Sequence, residues 1–477
     1  MTAQTRHTAP RMLPDGTVLP DRVTVVGAAR SGRAAARLLA SYGTQVFVTD
    51  SGPVDAATTR EFAALDIAFE SGGHTARALE TGLVVTSPGV PPTAAPLAGA
   101  LSAGVPVWSE LELASRCTSA RTVAITGSNG KTTTTELLGH VFRTAGWTTH
   151  VCGNVGTPYS DVVLSTTPDD VVVLEVSSYQ LEHVHTFRPD VSVLLNLSPD
   201  HLDRYGGDMA RYAATKYRMT ARQTPLDACV YNADDSRIAA FVEGTHGEGR
   251  GGQPGTHARP CPFGLDRMPE GSFFAQGTVR DGHLILTLNN KSSDFMQLDE
   301  LALRGRHNVY NSLAAAVAAR VMEVRSDLVR ESLRGFSGVP HRLEPVRSVG
   351  GVQWVNDSKA TNVNAVWYAL ESFRENIVLI AGGRDKGGGY EALRPLVEER
   401  VRALVTIGEA SQAIQAALGD CVKDAVPASN LDEAVHLASL LAQPGDVVLL
   451  SPACSSFDMF DNFEHRGDAF RQLVSRL

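Results

Sequence analysis

Residues 122–138 read TVAITGSNGKTTTTELL, and this stretch decides the fold. An apolar, β-branched run is followed by a short glycine-bearing turn and then by a helical pattern opening on Lys131 and Thr132. Strand, glycine turn and helix in that order begin an open α/β unit, and they also make a seat for polyphosphate. Backbone N–H groups at the start of the helix point outward, and the positive end of the helix dipole favours anions there. Lys131 can reach terminal phosphates, and the Thr132 hydroxyl suits Mg²⁺. The usual spacing G-x-x-x-x-G-K-[ST] puts its first glycine at the position of Ile125, whereas Gly127 stands two residues later. The loop is therefore a shortened variant made of Gly127, Ser128, Asn129, Gly130, Lys131, Thr132 and Thr133. The competing reading is an ordinary strand-to-helix turn carrying a solvated lysine.

Outward from this stretch the alternation continues. VVVLEVSSYQLE, VSVLLNLSPDHLDRYG and the helical RYAATKYRMTARQ follow it, and DRVTVVGAARSGRAAARLLASYGTQVFVTDS with LVVTSPGVPP precede it. The polar, glycine-rich 244–260 reads as a long surface loop. SFFAQGTVRDGHLILTLNN then predicts an antiparallel hairpin turning at Asp281-Gly282, and NVYNSLAAAVAARVM predicts a helix. Beyond Val339-Pro340, WVNDS, NIVLIAGG, RALVTIGEA and DVVLLSPA are four strand-like runs separated by helical patterns. The expected fold class is α/β in three domains. A loose tail covers 1–20, a Rossmann-like domain 21–112, a P-loop ATPase-type α/β domain with a small antiparallel hairpin 113–338, and a second Rossmann-like domain 339–477. A chain of 477 residues fits roughly three domains.

Composition narrows the function classes. Apolar residues make up 43% of the chain, ordinary for a globular protein. No apolar run approaches the ~20 residues of a membrane helix, and the N-terminus has no signal-peptide core, so the expected location is the cytoplasm without membrane insertion. The six cysteines, at 117, 152, 229, 261, 421 and 454, stand too far apart for a zinc knuckle. A net charge of −9 without a basic stripe argues against nucleic acid. No long amphipathic or apolar surface segment stands out, and a monomer is expected.

A metal held at Thr132 calls for a carboxylate on a neighbouring strand. Glu175 ends the run VVVLE, where burial without a cation is costly. Asp200, His201 and Asp203 follow another strand, at the carboxyl edge where such sheets bind ligands. Histidine is an unusual magnesium ligand, so spacing alone leaves His201 undecided. His183-x-His185 has metal-like spacing without a carboxylate partner and reads as structural.

The loop TGSNGKTTT, the pair Gly153-Asn154, EVSSYQLE, NLSPDHLDRYG, HNVYNSLAAA (307–316) and GVPHRLE (338–344) occur in this order. Together they resemble the Mur ligase family, the ATP-dependent amide-forming enzymes of bacterial cell-wall synthesis, from about residue 20 to the end. NDSKATN (356–362) and SPACSSFDMFDNFEHRG (451–467) resemble the branch that attaches D-glutamate. The resemblance implies that UDP-N-acetylmuramoyl-L-alanine, D-glutamate and ATP are the substrates. The alanine carboxylate then attacks the γ-phosphate, and the amine of D-glutamate captures the acyl phosphate.

What the resemblance implies for single residues is as follows. Lys131, Glu175, His201 and Lys216 are catalytic, with one Mg²⁺ on Thr132 and Glu175 and a second served by His201 and Lys216. A protonated lysine cannot ligate a cation; in the family this lysine is carbamylated, although Lys216 taken naively is a helix-surface lysine. Asn308, Arg342, Asp357 and Lys359 join the P-loop around ATP. Thr361, Lys386, Ser456 and the backbone around Phe463 hold D-glutamate, and domain closure is expected at 338–341. In the first domain GAARSG (27–32) has Ala29 where a dinucleotide fingerprint needs its second glycine, which disfavours NAD. Ala29, Arg30, Ser31, Asp50, Ser87, Pro88 and Gly89, with Asn154 and Ser177 from the central domain, are expected to bind the UDP-sugar.

Overall fold

The phosphate-loop strand Arg121–Thr126 feeds the helix Lys131–Thr144 in a computed structural model that describes residues 11–244, 256–303, 305–374, 376–385, 387 and 389–477. This strand lies inside a nine-stranded sheet, between Val191–Leu194 and Val171–Glu175. Both neighbours run parallel to it. VVVLE is buried at every position, as expected of a parallel strand covered on both faces. The carboxyl ends of the three strands therefore converge on the loop 127–130 and on Glu175, on the edge where open α/β sheets bind ligands.

At the far edge this sheet becomes antiparallel. Ala275–Arg280 pairs with His283–Leu288 in the register Arg280↔His283. Asp281 and Gly282 both have positive φ, 51° and 77°, the left-handed pair that matches the twist of a two-residue hairpin. The predicted hairpin is correct but incomplete. A third strand, Lys291–Gln297, extends it; its exposed KSSD half carries no apolar signal. Of the loop expected at 244–260, residues 245–255 lie outside the described residues, while Arg259 and Pro260 begin the strand Arg259–Gly264.

The first sheet has five parallel strands in the order Ala68–Ser71, Gln45–Asp50, Arg22–Val26, Leu83–Thr86, Val107–Ser109. The tail expectation fails over residues 11–20. Met12 and Val18 form an antiparallel bridge, and Leu13 and Leu19 are buried in the core. Arg116 donates to the Asp15 carboxylate and the Thr17 hydroxyl. Two leucines six residues apart are too few to show a period, yet they suffice to seat the turn between them.

The third sheet has six strands, in the order Glu344–Val349, Val352–Asn356, Val447–Leu450, Ile377–Gly382, Val401–Ile407, Asp424–Pro427. The two strands not expected from sequence are its edges, Glu344–Val349 and Asp424–Pro427. Both are half-exposed and mixed in character, so neither gives the apolar run by which the central four are recognised.

One compact unit extends to Glu300 and takes in Tyr310–Arg334, and the other comprises Leu301–Val309 and Gly335–Leu477. The first two sheets thus share one unit, and the expected bound at 112 falls within the helix Glu110–Ser115. Among the described residues no helix is long and apolar enough to cross a membrane.

Candidate active site

Gly130 caps the helix Lys131–Thr144 with φ of +82°. A Cβ there would lie 2.3 Å from Asn311 Oδ1, so both backbone angle and space require glycine. Ser128 Oγ donates to Ser198 O at 2.8 Å and lies 3.0 Å from Tyr212 OH. Asn129 N donates to Asn196 Oδ1 at 2.8 Å, and Asn196 Nδ2 donates back to Asn129 O at 3.0 Å. This reciprocal pair holds the turn open, and sequence reading missed Asn196 although it sits in the quoted NLSPDH. Lys131 Nζ donates to Gly127 O at 2.8 Å and Ser128 O at 2.9 Å. Its charge therefore lies over the loop rather than out in solvent.

Glu175 is 3% exposed. Thr132 Oγ1 donates to its Oε2 at 2.6 Å, and Asn154 Nδ2 donates to its Oε1 at 2.9 Å. The carboxylate is thus held against the first turn of the phosphate-loop helix, with Thr133 buried beside it in the sequence. Neither donor is a cation. The site presents hard oxygen donors on a buried anion, which is chemistry suited to Mg²⁺.

Lys216 corrects the naive reading of a surface lysine, being 2% exposed on the helix Met209–Tyr217. Nζ donates to Gly127 O at 3.0 Å and Thr126 Oγ1 at 3.4 Å, and it stands 4.8 Å from the centre of the Tyr212 ring. Burial, then the neighbouring Lys131 charge, drive its pKa well below the usual lysine value; Asp200 and Glu175 oppose the shift. A lysine in this setting tends toward the neutral amine. His201 adopts the left-handed backbone at φ 50°. Its Nε2 is 3.6 Å from the Asp200 carboxylate, and its ring centre is 5.2 Å from that of Tyr179. Asp203 lies in the short turn Leu202–Tyr205 that follows. His185 lies 2.8 Å from Val107 O, a packing role. Among the described residues no three His, Cys, Asp or Glu side chains gather as a metal cluster.

A cavity of about 620 Å³ opens at the carboxyl edge of the five-stranded sheet. Ala29, Arg30, Ser31, Asp50, Ser87, Pro88, Gly89 and Asn154 all line it, together with His74 and Gln180, which sequence reading did not name. Ser177 does not. Its hydroxyl caps the helix Ser178–Leu181 in a capping box with Gln180. The S-x-x-Q spacing was the available signal for that structural role. Asp50 also works locally, accepting from Ala28 N at 2.5 Å and Gly52 N at 2.7 Å. Those two bonds tie Asp50 to the two loops whose Ala29 and Ser51 also line the cavity.

In the second unit, Asp357 is buried and accepts from Ser451 Oγ at 2.8 Å and Leu343 N at 3.2 Å, with Arg342 Nη1 3.7 Å away. Burial raises its pKa to about 6, against the pull of Arg342. Asn308 is buried in the first turn of the helix Arg306–Val321. Lys359, expected at the nucleotide, has its ammonium 4.9 Å from the ring centre of Phe463, expected at glutamate. Ser456 is buried and Thr361 half-buried; Lys386 lies outside the described residues. The fully buried Arg466, also missed, donates to Ser358 O at 2.8 Å and Cys454 O at 3.2 Å, and so ties NDSKATN to SPACSSF. The segment expected to move, 338–341, ends in tethers: Lys359 N donates to His341 O at 3.0 Å, and His341 N to Glu344 Oε2 at 2.8 Å.

The chain matches known proteins along nearly its whole length. Residues 22–95 match the family described as MurD N-terminal domain, 125–319 the Mur ligase middle domain, and 341–454 the Mur ligase glutamate ligase domain. The UDP-N-acetylmuramoylalanine–D-glutamate ligase of Salinibacter ruber is 54% identical over 98% of this chain and 100% of its own. Its counterpart in Chlorobium phaeobacteroides is 45% identical over 96% and 98%. Among solved structures, the UDP-N-acetylmuramate–alanine ligase MurC of Thermotoga maritima superposes with a TM-score of 0.58 at 17% identity, over 95% of this chain and 99% of that one. MurF of Thermotoga maritima, in complex with ADP, gives 0.57 at 16% identity, over 91% and 96%. These two show a shared fold.

Proposed function

The chain belongs to the Mur ligase family, and from that premise we propose that it is an ATP-dependent ligase joining D-glutamate to UDP-N-acetylmuramoyl-L-alanine in peptidoglycan precursor synthesis. The observation that carries this reading is end-to-end identity of 54% with a ligase of that name. The Thr132–Glu175–Asn154 arrangement supports it with suitable chemistry.

Phosphoryl transfer to a carboxylate brings two anions together, so neutralising charge at the transferring group is the largest task. The amides of 127–133 receive the phosphates, and Lys131 swings from the loop carbonyls to the terminal phosphate oxygens. Thr132 and Glu175 would hold one Mg²⁺, and His201 with carbamylated Lys216 a second; bound there, the ions would supply positive charge to the phosphate oxygens. The depressed pKa of Lys216 favours the neutral amine that adds to CO₂. An oxygen of the alanine carboxylate attacks the γ-phosphorus and ADP departs. The D-glutamate amine then attacks the carbonyl carbon, inorganic phosphate leaves, and the nitrogen loses its proton. Asn308, Arg342, Asp357 and Lys359 contact ATP. Thr361, Lys386, Ser456 and the backbone around Phe463 receive the two glutamate carboxylates. Domains 21–112, 113–338 and 339–477 carry the UDP-sugar, ATP and amino acid respectively, in a cytoplasmic monomer.

Phosphate release with ATP and UDP-N-acetylmuramoyl-L-alanine, with and without D-glutamate, tests the reading. Release is expected to depend strongly on both. Release independent of D-glutamate, or supported equally by another amino acid, overturns it.

A further inference from the structure

We propose that Arg204 is a positioning residue that clamps the rim of the nucleotide-sugar cavity to the segment carrying His201. The geometry is a two-armed clamp in the first unit. Nε and Nη2 of Arg204 donate to the two carboxylate oxygens of Glu182 at 2.7 and 2.6 Å. Both side chains are 11% exposed. Nη2 also donates to Val90 O at 2.8 Å, and Val90 lines the cavity. The guanidinium lies 4.2 Å from the centre of the Tyr179 ring, whose other neighbour is the His201 ring.

The loop 87–91 is anchored at its start, where Ser87 N donates to Val26 O, and Val90 N turns back to Ser87 O. The carbonyl of Val90 is held from outside the first sheet by Arg204. A planar guanidinium can serve a carboxylate fork, a carbonyl and an aromatic face together, and an ammonium cannot. A surface ion pair needs none of these extra contacts. Arg204 touches no reacting group; it acts through Val90 on the cavity rim and through Tyr179 on the ring of His201.

This inference rests on reading the cavity as the UDP-sugar pocket, and the experiment separates the two. Titration calorimetry with UDP-N-acetylmuramoyl-L-alanine is run on the wild type and on Arg204→Lys, with steady-state KM for each substrate and a thermal melt. Arg204→Lys is expected to bind the UDP-sugar about tenfold more weakly while its KM for ATP changes less than about twofold. Glu182→Gln, which keeps the side-chain shape, is expected to weaken binding in the same selective way by about threefold and serves if the lysine variant does not fold. Unchanged UDP-sugar affinity, or equal weakening toward all three substrates, overturns the proposal while the function stands. A wild type that fails to bind the UDP-sugar overturns the function, and the proposal with it.

Discussion

Two buried basic side chains, one in each compact unit, are held in opposite ways. Arg466 has its donors engaged by Ser358 and the Cys454 carbonyl. Although burial lowers its pKa to about 10, it stays charged at neutral pH. Lys216 is as deeply buried, with a carbonyl and a hydroxyl for partners and Lys131 as a repelling neighbour. A guanidinium in the first setting is a structural tie; an amine in the second is available for chemistry. Burial alone does not separate structural from functional cations. The partners and the chemistry of the charged head do.

The largest expected effect tests the lysine. Lys216→Ala should lower turnover about 10³-fold, with part of the activity restored by a short carboxylic acid. The volume-conserving Lys216→Met should melt no lower than the wild type, because it removes a buried amine rather than a tie. Undiminished activity in the alanine variant breaks the comparison. The converse holds for the arginine. Arg466→Met leaves two carbonyls and a hydroxyl without their donor and should destabilise the second unit by about 4 kcal/mol in denaturant titration. A smaller loss than that of a surface arginine would show that the tie is dispensable.

The third test uses Asp357, whose carboxylate feels both Arg342 and Arg466 yet titrates near 6 because burial outweighs them. Between pH 4 and 6 the folded chain keeps a proton that the unfolded chain releases. This contribution is therefore fully present below pH 4 and lost as pH rises through 6. Measured against Asp357→Asn, the wild type should lose up to about 3 kcal/mol of stability across that interval. Parallel stability curves for the two proteins would show that Arg342 and Arg466 already hold the carboxylate ionised.

Much of the architecture was legible in the chain. The central strands announced themselves as apolar runs, and the phosphate loop and the Asp281-Gly282 turn as local chemistry. Three edge strands that escaped, Glu344–Val349, Asp424–Pro427 and Lys291–Gln297, are half-exposed, and such an edge carries a mixed pattern that reads as loop; the buried strand Ala228–Asn232 escaped as well. Leu13 and Leu19 were passed over for a similar reason, since their burial depends on a core built by residues far along the chain. The named residues that line the cavity stand at the ends of four strands, Arg22–Val26, Gln45–Asp50, Leu83–Thr86 and Thr149–Gly153, a position that sequence reading can find. Ser177 was harder, because its hydroxyl is spent on capping the helix that follows it.

Order along the chain by itself determined the α/β class, the glycine-dependent phosphate turn and the likeness to amide-forming ligases. These depend on neighbours within a few residues or on motifs kept in sequence. Which charges are desolvated, and by what they are met, was decided only by tertiary structure. Lys216, Arg204 and Arg466 are surface-like letters in the sequence. Packing alone took them out of water, and the energy of a charge is set by its surroundings in space.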